Sequence, residues 1–254
     1  MSSEDIAVAA RDASYAVSGY RSFEYVSFEA RRARTCALLS AEAAPARDLL
    51  LAIAGLVRPV SGSLEVAGTE LAAARTAAGR GLRGGLAAPL PRGTVGIGIF
   101  SGIADIPGSS TVEEAVAREM HLRGPRGEGA RRSGGDVLDY LAAFGIATEA
   151  SRRADELAAL NRARLSAALA CVGTPQVAVV DLADPLIGAL PRDEAVALVG
   201  ELGAAARAFG CALVFATAEP AAARAADAAF ALDIDAAEAL RACGGVKDTE
   251  VSAS

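Results

Sequence analysis

Two aspartates near the end of one apolar run are the first candidates for chemistry in this chain of 254 residues. Asp181 ends the run QVAVVD at 176–181, and Asp184 follows three residues later. Such a pair of carboxylates can bind Mg²⁺, but no second group of ligands and no phosphate accompanies it, so we expect no metal site. We interpret Asp181 as a hydrogen-bonded acid at the carboxyl end of a strand.

The rarity of lysine and histidine excludes several kinds of active site. Lys247 is the only lysine, and His121 is the only histidine. The chain therefore lacks the residues for a multi-histidine metal site, and a mechanism that needs a lysine and a histidine must use these two. We interpret His121 as a neutral residue on the surface of a helix.

Composition and charge predict a soluble cytoplasmic protein that does not bind nucleic acid. The chain has 25 Lys and Arg against 31 Asp and Glu, a net charge of -6, whereas nucleic-acid binding requires a concentrated basic face. No apolar run reaches the roughly 18–20 residues of a membrane span, so we expect no direct membrane insertion. The first eleven residues lack the pattern of a signal peptide. The cysteines form no Cys-x-x-Cys pair and are interpreted as buried reduced thiols.

The elements that would position these residues alternate between strands and helices. Apolar runs bounded by turn residues predict strands at 22–28, 35–39, 63–66, 176–181, 212–217 and 230–234. Thr111 and Glu114 form a capping box at the start of a helix. Helical patterns cover 48–57, 111–122, 136–144, 154–172, 193–209 and 220–227. This order predicts an α/β core with a mostly parallel sheet and a helical insertion.

Five segments occur in an order and at spacings that indicate one family. They are Tyr15 with 26–28, then 50–68, 111–114, 156–170 and 177–181. In the same order they resemble the adenine-stacking aromatic, the first helix with its following strand, the start of the helical subdomain, the signature helix and the Walker B strand of the ATP-binding subunit of ABC transporters. The resemblance covers essentially residues 7–234.

This resemblance implies an α/β fold with a core like that of the P-loop NTPases. It implies a mostly parallel sheet, an N-terminal antiparallel β portion and a helical subdomain. The expected boundaries are 1–100 and 166–243 for the cassette-like core, 101–165 for the helical subdomain with its signature-like helix, and 244–254 for a polar tail.

The stretch that matches the family's phosphate-binding loop, SAEAAPARD at 40–48, lacks what that loop needs. The pattern G-x-x-x-x-G-K-[ST] uses glycines so that backbone N–H groups can surround the phosphates, a lysine for their oxygens, and a hydroxyl for Mg²⁺. Here Ser40 and Pro45 replace the glycines, Ala46 replaces the lysine, and Arg47 replaces the hydroxyl residue. Proline also removes one of the N–H groups. We therefore predict a degenerate phosphate loop.

Two interpretations of Arg47 are open from the sequence. Its guanidinium could bind phosphate in place of the lysine, but it is one residue out of register and has Glu42 and Asp48 as neighbours. The favoured interpretation is that Pro45 and Asp48 begin a structural helix. On the family's pattern, the vestigial nucleotide-site positions are Tyr15, Arg47, Asp48 and Asp181, with no catalytic residue and no metal ligand.

Other family positions are changed as well. Asp181 stands at the Walker B position, but Leu182 follows where the family has a glutamate that polarises water, and leucine cannot act as a base. The signature segment reads LAALN at 157–161, and the glutamine-loop position at 100–102 has no glutamine. The aspartate-loop position at 188–191 has no aspartate, and Ala218 stands at the switch-histidine position.

These features predict a non-hydrolytic ABC-type subunit that associates with a polytopic membrane permease or with a homologous cassette subunit. No cofactor is expected. Two alternatives remain: an ATP-hydrolysing subunit that works in a mixed pair, which would bind ATP and Mg²⁺, or a soluble regulatory scaffold of the same fold. The expected location is the cytoplasm, including the inner face of the cell membrane.

Overall fold

The computed structural model describes residues 5–71, 89–123 and 134–243. In the first half, the strands are β1 Ile6–Val17, β2 Tyr20–Arg31, β3 Thr35–Leu39, β4 Ser61–Val66, β5 Thr69–Glu70 and β6 Val95–Ile97, and helix α1 is Ala43–Ile53. In the second half, the helices are α2 Val112–Arg123, α3 Gly134–Ala142, α4 Ala159–Cys171, α5 Arg192–Phe209, α6 Pro220–Ala225 and α7 Ile234–Ala242. The strands there are β7 Val177–Asp181, β8 Ala212–Thr217 and β9 Ala228–Ala231.

The strands form two sheets. An antiparallel sheet has the order β2-β1-β4-β5, and a five-stranded sheet has the order β6-β7-β8-β3-β9 with parallel pairing throughout. In the parallel sheet, Leu39 pairs with Thr217, and Asp181 pairs with Ala216. Because parallel strands end at the same edge, the chain that follows β3, β7 and β8 leaves the sheet at one place.

The parallel sheet lies between two apolar cores. Val177 and Val179 of β7 belong to the core that also holds α1, β1 and β2, whereas Ala178 and Val180 belong to the core formed with the other helices. This alternation follows from the two-residue period of a strand. All five residues of β7 are buried, which explains the continuous apolar run of this strand.

Much of the predicted order is confirmed. The α/β class, the mostly parallel sheet and the antiparallel β portion are present, and β3 and β8 have the predicted bounds. The capping box forms as expected, since the Thr111 N–H donates to Glu114 Oε2 (2.9 Å) and the Glu114 N–H donates to Thr111 Oγ1 (3.2 Å). The boundaries of the helical subdomain stay a prediction. The polar tail and Lys247 lie outside the described residues. Of the cysteines predicted to be buried, Cys243 is exposed, because it follows the last turn of α7.

Several predicted element bounds are wrong. Helix α1 begins at Ala43 and ends at Ile53, because Gly55 with φ +73° turns the chain where the apolar pattern continues to residue 57. Helix α4 begins at Ala159, since residues 154–156 form a 3₁₀ turn and Leu157 is extended. The last strand is 228–231, and Ile234 begins α7 after Asp233 caps it through the Ala236 N–H (2.7 Å). The sequence pattern also fails to predict β1, β5, β6 and α7.

Within the described ranges, none of the helices combines the length and the apolar character needed to cross a membrane.

Strand β6 packs so closely on α4 that it requires glycine. A Cβ atom at Gly96 would lie 1.7 Å from the Ala170 carbonyl oxygen. We predict that Gly96→Ala lowers the free energy of unfolding by at least about 2 kcal/mol, because the backbone of α4 must move. The matched control is Gly200→Ala in α5, where no atom lies within 4 Å of the added Cβ and stability should rise by about 0.5–1 kcal/mol. Urea denaturation measures both, and equal effects would contradict this account of the packing.

Candidate functional site

The carboxyl edge of the parallel sheet brings Arg47 onto two buried aspartates. Its Nη1 lies 2.5 Å from Asp184 Oδ2 and 3.5 Å from Asp181 Oδ2. The side chain of Asp184 is fully buried and that of Asp181 is 1% exposed, whereas that of Arg47 is 20% exposed. Arg47 reaches this place because it lies in α1, directly after the loop that leaves β3, while the aspartates end or follow β7. We call these three residues the arginine centre.

A third segment of chain contacts the arginine centre. The Arg47 Nη2 donates to the Ser101 carbonyl oxygen at 2.5 Å, and the Ser101 N–H donates to Asp184 Oδ2 at 2.8 Å. The Arg47 Cζ also lies 5.5 Å from the centroid of the buried Phe100 ring, within the range of a cation–π interaction. The guanidinium is therefore held by both aspartates and by the segment that follows β6.

The two aspartates differ in how well their oxygens are satisfied. Asp184 Oδ1 accepts from the Leu186 N–H (2.8 Å), and its Oδ2 accepts from Arg47 and from the Ser101 N–H. Asp181 Oδ1 accepts from the Ala183 N–H (3.0 Å), but its Oδ2 has no hydrogen-bond partner among the described residues. The contact of Arg47 with Asp181 is thus electrostatic, without hydrogen-bond geometry.

Burial raises the pKa of Asp181 to about 6. The negative charge of Asp184 acts in the same direction, while the Ala183 N–H and the Arg47 guanidinium lower the pKa in part. Desolvation has the largest effect because the carboxylate loses its water and gains only one hydrogen bond.

Other residues of the chain accept the hydrogen bonds of the loop before α1. The Ala41 N–H and the Ser40 hydroxyl both donate to Asp233 Oδ2 at 2.9 Å, and the Ser40 N–H donates to the Thr217 carbonyl oxygen at 3.3 Å. Pro45 lies in the first turn of α1 and has no N–H to offer. The carboxylate of Asp233 therefore takes donors that this loop could otherwise present to an anion.

A cavity of about 440 Å³ opens beside Asp184, between the chain that follows β3, β7 and β8. Its lining is mainly apolar, with Leu182 and Ala218 among its residues, and its polar side chains include Thr217 and Glu219. None of the described residues that line it is basic. Elsewhere in the segments that the structure describes, no cluster of three His, Cys, Asp or Glu side chains is arranged to hold a metal ion.

The chain matches no protein-family model. A curated relative, the methionine import ATP-binding protein MetN of Streptomyces griseus, is 30% identical over 156 residues, which is 61% of this chain and 41% of the relative. The chain thus aligns with about two fifths of the length of that relative.

Solved structures match over most of the chain. The cbiO1 protein of Clostridium perfringens, described as part of the ABC transporter complex cbiONQ, has a TM-score of 0.65 at 17% identity over 91% of this chain and 86% of its own. The dimeric bacterial ABC transporter cassette MJ0796 has a TM-score of 0.65 at 14% identity over 89% of this chain and 94% of its own. The fold is that of an ATP-binding cassette domain.

Within this cassette fold, the four predicted site residues lie in two neighbouring pairs. Arg47 contacts Asp181 through its Nη1. Asp48 accepts from the Ser22 hydroxyl at 2.6 Å and lies near Tyr15, whose pKa is raised by burial and by the charge of Asp48. The ring of half-buried Tyr15 lies 5.9 Å from that of Phe23. A role of these residues in nucleotide binding stays a prediction.

Sequence reasoning missed how the cassette uses Arg47, Asp184 and Asp233. It considers Arg47 as a phosphate partner and Asp184 as half of a metal pair, but the two pair with each other. It also puts Asp233 inside a strand, although this residue caps α7 and contacts the loop before α1. The only signal for Asp233 is an aspartate ahead of an alanine-rich helical pattern.

We predict that Asp181→Asn stabilises the cassette at neutral pH. The pKa of Asp181 is about 6 in the folded chain and about 3.9 when unfolded, so the folded state binds more protons between these values and loses stability as pH rises through them. The free energy of unfolding of the variant, relative to that of the native chain, should therefore rise by about 1–3 kcal/mol from pH 4 to pH 7. Urea denaturation at both pH values measures this gain, and a difference independent of pH would contradict it.

The matched control is Asp184→Asn, which should destabilise the chain at pH 7. This carboxylate accepts hydrogen bonds from Arg47, Ser101 and Leu186, so the substitution weakens a buried ion pair and should cost about 3 kcal/mol. An unchanged free energy of unfolding in this variant would show that the ion pair contributes little to stability.

Proposed function

We propose that this chain is a non-hydrolytic cassette subunit of an ABC-type transporter, which acts by association with a membrane permease or with a second cassette subunit. Its likeness to ABC cassettes supports the transporter-subunit class. One observation carries the loss of nucleotide chemistry: the guanidinium of Arg47 lies on Asp181 and Asp184.

The arginine centre does not fit Mg²⁺. Arg47 stands at the position of the family's hydroxyl ligand, and its positive charge is 3.5 Å from the Walker B aspartate. A divalent cation bound to Asp181 would be repelled by the Arg47 guanidinium at short range, because little water is present to screen the two positive charges. Displacing the guanidinium would leave Asp184 buried without its ionic partner, which is costly.

The loop before α1 does not fit phosphate. Its Ala41 N–H already donates to Asp233, and a phosphate there would meet that carboxylate as a like charge. Pro45 lacks an N–H, and Ala46 supplies no ammonium group. The Asp233 carboxylate thus takes the place that an external anion would occupy at this loop.

The chain also lacks a group that could activate water at the positions where the family has one. Leu182 follows Asp181 and is 7% exposed, and Ala218 follows β8; neither side chain can accept a proton. Binding of Mg²⁺ and ATP and hydrolysis of ATP are therefore each disfavoured by separate residues.

A cassette subunit that does not bind or hydrolyse ATP can still act by binding other subunits. The described helices and sheets pack around two apolar cores, so the chain has a stable fold whose surface a partner can bind. The cbiO1 structure is that of a protein described as part of a transporter complex. We propose the same kind of assembly here, with the chain located in the cytoplasm at the inner face of the membrane and without a nucleic-acid partner.

The first experiment is titration of the purified chain with a fluorescent ATP analogue in the presence of Mg²⁺. We expect no saturable binding up to about 1 mM, because both the cation and the phosphate positions contain groups of the chain itself. ATP turnover should also be absent. Turnover that disappears in Asp181→Asn would contradict the proposal and favour the ATP-hydrolysing alternative.

The second experiment is affinity purification of the tagged chain from detergent-solubilised membranes of its own organism. We expect a polytopic membrane protein or a second cassette protein to co-purify in a fixed ratio, and Gly96→Ala, which disturbs the fold, serves as the negative control. A chain that is monomeric and absent from the membrane fraction would favour the soluble-scaffold alternative.

A further inference from the structure

The segment between β6 and α2 contacts the core at several places, and Ser101 joins it to Arg47 and Asp184. The Gly98 N–H donates to the Val179 carbonyl oxygen, the Ile99 N–H donates to Ser166 Oγ, and Phe100 is buried. Both backbone groups of Ser101 are used: its carbonyl oxygen accepts from Arg47, and its N–H donates to Asp184. We propose that the Arg47–Asp184 ion pair is a nucleotide-independent latch, which fixes the loop at residues 100–105 on the parallel-sheet core. The proposal rests on the proposed function in that no Mg²⁺ or ATP takes the place of Arg47.

The latch is a closed ring of three contacts. Arg47 comes from α1, Asp184 from the chain after β7, and Ser101 from the chain after β6, and each contacts the other two. If any one of the three residues is removed, a partly buried polar group on each of the other two loses a hydrogen-bond partner, which is unfavourable. The three segments therefore hold one another in position.

The segment that the latch holds is itself compact. The Ala104 N–H donates to the Phe100 carbonyl oxygen at 2.8 Å, and the Gly102 N–H donates to Asp105 Oδ1 at 2.9 Å. The Phe100 side chain is fully buried, with the guanidinium over its ring. Residues 100–105 are therefore joined to one another by their own hydrogen bonds, so the contacts of Ser101 act on the whole loop.

This loop leads directly to α2. Ser110 bonds to Pro107 and to Ala154, and Thr111 forms a bridge with Arg153 before the capping box begins the helix. The loop also presents Ile103, whose side chain is 49% exposed. The start of α2 is thus held by residues 153–154, and the latch holds the loop that precedes it, whether or not nucleotide is present.

Amide hydrogen exchange of the full chain, followed by mass spectrometry, tests the latch. The readout is the exchange rate of residues 99–106 divided by that of β8. Because β8 reports the global stability, a rise in this ratio shows that the loop opens more than the rest of the fold. In Arg47→Gln we expect this ratio to rise about tenfold, and in Arg47→Lys, which keeps the charge, by less. An unchanged ratio in Arg47→Gln would overturn the proposal.

The same experiment separates the latch from the proposed function. Addition of Mg²⁺ and ATP to the native chain should leave the ratio unchanged, and a change would overturn the nucleotide independence of the latch. If titration shows that the native chain binds ATP while the ratio still depends on Arg47 alone, the proposed function fails and the latch is supported.

Discussion

Burial of two carboxylates at one edge of the parallel sheet is the constraint on which the site depends. Asp181 and Asp184 lie where water is excluded, so their charges require a cation close by. The chain supplies this cation from α1, since the helix begins directly after β3 and β3 lies two strands from β7 in the same sheet. Arg47, the Ser101 N–H and the turn after β7 all contact these two carboxylates.

The loop before α1 favours a negative charge, whereas the buried aspartates require a positive one. Backbone N–H groups ahead of a helix favour an anion, and Asp233 provides one from the start of α7. The same carboxyl group caps α7 through its other oxygen, so one residue joins the two helices. The chain thus supplies its own cation to the buried aspartates and its own anion to the N–H groups before α1, so both places are satisfied by residues of the fold.

The sequence predicts the buried strands well and the centre poorly, for a physical reason. Strand β8 reads ALVFAT, and β3 reads TCALL, because burial on both faces demands a continuous apolar run. Strand β1 was missed because Arg11 and Asp12 interrupt its pattern, and β6 because it has only three residues. The pairing of Arg47 with Asp184 joins residues 137 positions apart, and such a contact depends on strand order rather than on local pattern.

A double-mutant cycle on Arg47 and Asp184 tests the central claim most directly. The free energy of unfolding is measured at pH 7 by urea denaturation for Arg47→Ala, Asp184→Ala, the double variant and the native chain. If the ion pair holds the centre together, the double variant should be less destabilised than the sum of the single variants, by about 2 kcal/mol or more. Additive effects, within about 0.5 kcal/mol, would show that the two residues act independently and would contradict the account.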